Sequence, residues 1–264
     1  MKNLALILSF DQPGSRRWRT CGKLAVSSLL RSLWDGEVRL VRNYEQPLFP
    51  TGRQGLLEAV NPGFDHHNRL LGWRREADLG GEIGKAGVRG EAWERQVAKE
   101  AARLLQLEEI AALERPERYA WVVLADADVV ALRNLDHLLD RDEEVLVTDS
   151  REPDPGFVAV RGTVVKALAN GWQAARTARK DWESGHGWDL AAALAKGGWR
   201  VGCFERGEVL RADTPGTGLA DLKDAAVIHF GGMAPKDKQR LAFAFHIMTV
   251  YGDEDGLFLD MLES

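Results

Sequence analysis

Apolar residues along this chain fall into short runs separated by breaks rich in Gly, Pro and Asp. The first run, Leu4 to Phe10, is apolar at both alternating sets of positions, as a central strand covered on two faces requires. Asp11-Gln12-Pro13-Gly14 ends it. Cys21 to Trp34 then carries helical spacing through Leu24, Ser28, Leu29 and Leu33, and Glu37 to Arg42 predicts a second strand. Such a strand–helix–strand opening implies a parallel sheet.

Residues 44–90 have weak periodicity and many Gly and Pro residues, which predicts an irregular insertion forming walls or a lid. Phe64, Trp73, Arg74 and Arg75 lie within it, and a surface segment of this kind is expected to shape an acceptor pocket. From Glu91 the spacing is helical again, through Trp93, Val97, Ala101, Leu104 and Leu105, until Arg115-Pro116-Glu117-Arg118. Tyr119 to Ala125 is the most apolar strand, and it runs straight into Asp126-Ala127-Asp128. A short helix at Leu135 to Leu139 follows, then strands at Glu144 to Val147 and Gly156 to Val160. Helices at Thr163 to Arg179 and Trp188 to Lys196 precede strands at Trp199 to Phe204 and Ala225 to Phe230. An amphipathic helix near Lys238 to Tyr251 closes the series. The alternation predicts an α/β domain over residues 1–264, with a mainly parallel central sheet flanked by helices and a helical tail over 232–264.

A chain of 264 residues with 45% hydrophobic content buries a full core. The net charge of -5 argues against bulk nucleic-acid binding, which needs a basic face. Leu4 to Phe10 is too short for a signal peptide's apolar core and lacks a small-residue cleavage site, and no stretch approaches a membrane span of about 20 residues. Cys21 and Cys203 fit reduced core positions, which points to the cytoplasm.

Two aspartates one residue apart at the carboxyl end of a buried strand carry the chemistry. Buried carboxylates are costly unless paired or metal-bound, and strand ends of open parallel sheets are where ligands sit. A hard divalent cation with phosphate oxygens in its remaining positions suits the pair. The plainer reading is a solvated strand-to-loop junction with Asp128 capping a turn, and for an arbitrary Asp-x-Asp the two stand about even.

The segment from Tyr119 through Asp126-Ala127-Asp128 to Leu138 resembles the Asp-x-Asp segment of retaining GT-A glycosyltransferases, the family 8 group of glycogenin and galactosyltransferase-like enzymes. Gly156-Phe-Val-Ala-Val-Arg161 resembles that group's glycine-led strand under the donor sugar, and Val227-Ile-His229-Phe-Gly231-Gly232 its late His-Phe-x-Gly element. The resemblance implies the GT-A fold, a nucleoside-diphosphate sugar donor (UDP-linked), a manganese or magnesium ion, and retention of configuration. It implies Asp128 and His229 as direct metal ligands and Asp126 on the metal or the ribose. Lys99, on the helix before the Asp-x-Asp strand, is implied to reach the donor. Phe10, Ala127, Gly156, Gly231, Gly232 and Lys236 are implied to line the nucleotide-sugar site. Lys236 stands in Met-Ala-Pro-Lys where the family has Gly-x-x-Lys-Pro-Trp. Asp189, in Trp188-Asp189-Leu190, stands where the family has an Asp-Gln pair and is implied to be catalytic. Without the resemblance, His229 reads as a satisfied core histidine.

Three rivals share parts of the pattern. Asp126-Ala-Asp-Val-Val satisfies the nucleophile pattern of haloacid-dehalogenase-type phosphatases, with Thr148 ending a later strand, but there the nucleophile strand normally opens the domain. A nucleotidyltransferase calls for a Gly-rich basic loop after the first strand, which Asp11 to Arg17 only faintly echoes. A non-catalytic sugar-nucleotide-binding relative has no need to keep Asp126, Asp128 and His229 together.

Overall fold

The computed structural model describes residues 1–9, parts of 21–42, 64–65, 103–179, 186–205, 207–214, 216, 221 and 224–231. The expected sites at Phe10, Lys99, Gly232 and Lys236, and the expected 238–251 helix, lie outside the described residues.

Seven strands form the main sheet in the order β3-β2-β1-β4-β7-β6-β8. These are β1 (Lys2–Ser9), β2 (Glu37–Arg42), β3 (Phe64–Asp65), β4 (Tyr119–Asp126), β6 (Val145–Val147), β7 (Phe157–Arg161) and β8 (Val201–Cys203). Strand β7 alone runs against its neighbours β4 and β6; every other pairing is parallel. A second, three-stranded sheet has the order β5-β10-β9, from β5 (Val129–Ala131), β9 (Val209–Arg211) and β10 (Val227–His229). The expected mainly parallel α/β architecture is therefore present.

The apolar character of β1 and β4 on both faces has a direct cause. Ala5, Ile7, Val123 and Ala125 enter one core with Ala25, Val26 and Leu29, whereas Leu4, Leu6, Val122 and Leu124 enter another. That second core contains Leu107 and Ile110 from a helix at 103–111 and Trp172 from the Val165–Ala178 helix. Alternate side chains of a strand point to opposite faces, so the two cores sandwich the sheet.

Three elements were not legible in the periodicity. Strand β3 lies within the 44–90 segment, which is thus not irregular throughout: Phe64 and Asp65 extend the sheet beside β2. Strands β5 and β9 have three residues each, too few to show a period. Cys21 is buried as expected, but Cys203 is exposed at the end of edge strand β8; both are free thiols. Among the described residues, no helix is long and apolar enough to cross a membrane.

Candidate functional site

Strand parity decides where Asp126 points. It shares a face with Val122 and Leu124, the face covered by the 103–111 helix, and there it meets Arg103 at 2.8 Å. Arg103 is buried, stacks 5.4 Å from the Trp172 ring centroid, and also donates to Gln106 Oε1. Gln106 in turn donates to the Leu6 carbonyl, which ties this corner of the helix to β1.

After Asp126 the chain turns and crosses to the second sheet. The turn is pinned on both sides, since Asp126 N–H donates to the Gly156 carbonyl and Phe230 N–H to the Asp128 carbonyl, each at 2.9 Å. Antiparallel pairing of β5 with β10 sets His229 opposite Val129, one residue beyond Asp128. Parallel pairing of β10 with β9 sets His229 beside Arg211. The register of three short strands thus delivers His229 Nε2 to 3.3 Å from Asp128 Oδ1. Asp126, Asp128 and His229 each offer a ligand atom, and these atoms lie within 4.8 Å of one another. That span is about twice a metal–oxygen distance, which runs from about 2.0 Å for magnesium to about 2.6 Å for calcium.

The Nδ1 edge of the imidazole faces Asp154 Oδ2 at 2.5 Å. Glycines make room for the ring. A Cβ on Gly156 would overlap its Cε1 atom, and one on Gly231 would lie 2.7 Å from the same atom. The His229 ring alone thus calls for glycine at 156 and 231, the residues the resemblance places in the nucleotide-sugar site.

Electrostatics match this packing. Burial lowers the His229 pKa, but Asp128 and then Asp154 outweigh it and push it up from 6.5 to about 10. Burial raises Asp154, but the hydrogen bond and charge of His229, with the Gly156 N–H and Arg211, together outweigh it and hold it below the usual carboxylate range. Burial also raises Asp126, opposed by Arg103 and reinforced by Asp128. Arg211 lies 3.8 Å from Asp154 and pairs with Asp213, so a second guanidinium borders the cluster. Three carboxylates thus face one imidazole and two guanidinium groups.

Asp128 is 3% exposed, so it does not sit at the solvated junction of the plainer reading. Asp189 is not a member of the group of possible metal ligands. It lies buried on the His186–Gly197 helix and pairs with Arg179 at 3.3 Å. The first turn of that helix nevertheless abuts the Asp154 loop, for a Cβ on Gly187 would lie 3.0 Å from the Pro153 carbonyl. Sequence reasoning missed Arg103 and Asp154. Lys99 is the cation expected to act from the segment before β4; Arg103, four residues later in the sequence, is the described residue whose guanidinium meets Asp126. Asp154 sits two residues ahead of the glycine that drew attention to β7.

No family model and no curated protein matches the sequence. Solved structures do. WbbM, a bifunctional glycosyltransferase in its apo form, superposes with a TM-score of 0.56 at 14% identity over 95% of this chain and 51% of its own. Apo GlyE, a glycosyltransferase of Streptococcus pneumoniae TIGR4, gives 0.61 at 10% identity over 99% of this chain and 63% of its own. The galactosyltransferase LgtC, solved with donor and acceptor sugar analogues, gives 0.55 at 12% identity over 92% and 95%. This chain spans about half the length of WbbM and under two thirds of GlyE. Likeness at such identities establishes the fold, and that fold is the GT-A type the sequence resemblance implied.

Proposed function

We propose that this chain is a metal-dependent glycosyltransferase that takes a sugar from a nucleoside-diphosphate donor, UDP-linked, and passes it to an acceptor with retention of configuration. The observation that carries the reading is the meeting of Asp126, Asp128 and His229 at the strand ends of a GT-A fold. A fold alone does not specify a reaction, and the donor set supplies the chemical argument.

Two carboxylates and an imidazole suit manganese or magnesium, with Asp128 and His229 as direct ligands and Asp126 on the ion or the ribose. When bound, the ion supplies positive charge where the departing diphosphate becomes negative. Arg103 and Arg211 add fixed positive charge beside the carboxylates. Lys99 and Lys236 are assigned to the donor and its diphosphate, and Phe10, Ala127, Gly156, Gly231 and Gly232 to the walls of the nucleotide-sugar site. A direct catalytic part for Asp189 requires its release from Arg179. The phosphatase reading loses ground because Thr148 Oγ1 is engaged, accepting from the Asp154 N–H at 3.1 Å.

Calorimetric titration with UDP tests the reading. UDP should bind the parent far more tightly with manganese than without, and Asp128→Ala should erase the difference. UDP affinity that is equal with and without manganese overturns it.

A further inference from the structure

We propose that Asp154 is the positioning residue of His229: it holds the Nδ1 edge of the imidazole so that Nε2 is presented to a divalent cation between Asp126 and Asp128. The inference rests on the metal reading above and adds to it a residue that lies outside the group of direct ligands.

Its basis is geometric. The ring has two polar edges, and both are engaged by buried carboxylates: Nδ1 by Asp154 Oδ2 at 2.5 Å and Nε2 by Asp128 Oδ1 at 3.3 Å. The shorter contact is on the side away from the possible cation position. Asp154 is itself fixed. Its Oδ1 accepts from Gly156 N–H at 2.9 Å, and its own N–H donates to Thr148 Oγ1 at 3.1 Å. Pro153 and Pro155 flank it, and proline restricts the backbone at its own position and at the residue before it. Glycines at 156 and 231 leave room for the ring, which a Cβ at either would crowd. A carboxylate that accepts from one imidazole nitrogen fixes the tautomer and leaves the other nitrogen's lone pair for a metal.

Asparagine at 154 is nearly isosteric but cannot reproduce this. If its carbonyl serves Gly156, its amide hydrogens confront Nδ1 and drive the ring proton to Nε2, the metal side. If the amide is turned round, Gly156 N–H loses its acceptor. Manganese titrations of the full chain without nucleotide, followed by the electron paramagnetic resonance of the free ion, give the affinity. Asp154→Asn and Asp154→Ala should each bind manganese about 10–100-fold more weakly than the parent. Nitrogen-15 NMR of the imidazole in the magnesium-saturated parent should show the His229 proton on Nδ1, and Asp154→Asn should shift it.

A parent that binds manganese while both variants bind it equally well overturns the role of Asp154 and leaves the metal reading standing. A parent that does not bind manganese overturns both. A His229 proton on Nε2 in the magnesium-saturated parent overturns the positioning role whether or not either variant folds.

Discussion

Asp126 neutralises Arg103 and is also proposed to share its charge with a cation. Arg103 is buried, so removing its counter-ion leaves an uncompensated charge in the interior, which typically costs about 3–5 kcal/mol. Asp126→Ala should therefore lower the urea unfolding free energy by about 3 kcal/mol, and Arg103→Leu in the same chain should recover most of it. If Asp126→Ala unfolds like the parent, Asp126 is not Arg103's structural partner. His229 gives a pH signature. Its folded pKa is raised, so the stability it contributes to the metal-free protein is full below about pH 6.5 and is lost as pH rises through about 10. Asp154 has the opposite sign, contributing above its ordinary 3.8 and losing that contribution as pH falls through its lower folded value. The metal-free parent should lose stability as pH climbs from 6.5 towards 10, and His229→Gln should flatten that decline. Manganese, which competes with the same proton, should bind more tightly across that rise. Equal pH slopes for parent and His229→Gln would refute the coupling.

Among the elements, the three short strands β5, β9 and β10 matter more than their length suggests. Their register brings His229 beside the Asp-x-Asp turn. A Cβ at Gly156 strikes the His229 ring across that junction. Gly156→Ala should cost about 1–3 kcal/mol by overpacking and weaken manganese binding together; parent-like metal affinity would show that His229 does not ligate. The paired helices Val165–Ala178 and His186–Gly197 offer a second test, because Arg179 and Asp189 close a buried ion pair between them. Asp189→Asn should destabilise the fold as well as lower turnover, by about 3 kcal/mol if the pair is broken outright. Unchanged thermal unfolding with abolished turnover would mark Asp189 as purely catalytic.

For the molecule as a whole, the long elements were legible because their apolar residues repeat. Strand β2 matches the expected Glu37 to Arg42, and β4 extends the expected strand by one residue to Asp126. Nothing periodic marks β3, β5 or β9, whose short strands are set by pairing with distant partners. The site divides the same way. Asp126 and Asp128 could be found because acidic residues at the end of a buried strand contradict their surroundings, and His229 only through the resemblance of Val227 to Gly232 to a late His-Phe-x-Gly element. In the sequence, Arg103 has nothing to set it apart from other basic residues in a helical stretch, and Asp154 stands between Pro153 and Pro155 just before Gly156. Only the packing of the 103–111 helix on β4, of β7 against β4 and of β10 against β5 reveals that both face the cluster.

In the proposed function this acidic cluster serves sugar transfer from a nucleotide donor. Release of nucleoside diphosphate from a panel of nucleotide sugars, followed with manganese, with chelator and with Asp128→Ala, tests it most directly. Without acceptor, a transferase of this kind should slowly hydrolyse at least one UDP-sugar with manganese, and both chelator and Asp128→Ala should abolish the release. Folded protein that releases diphosphate from no member of the panel with manganese, or releases it equally under all three conditions, is not a metal-dependent sugar transferase of this kind.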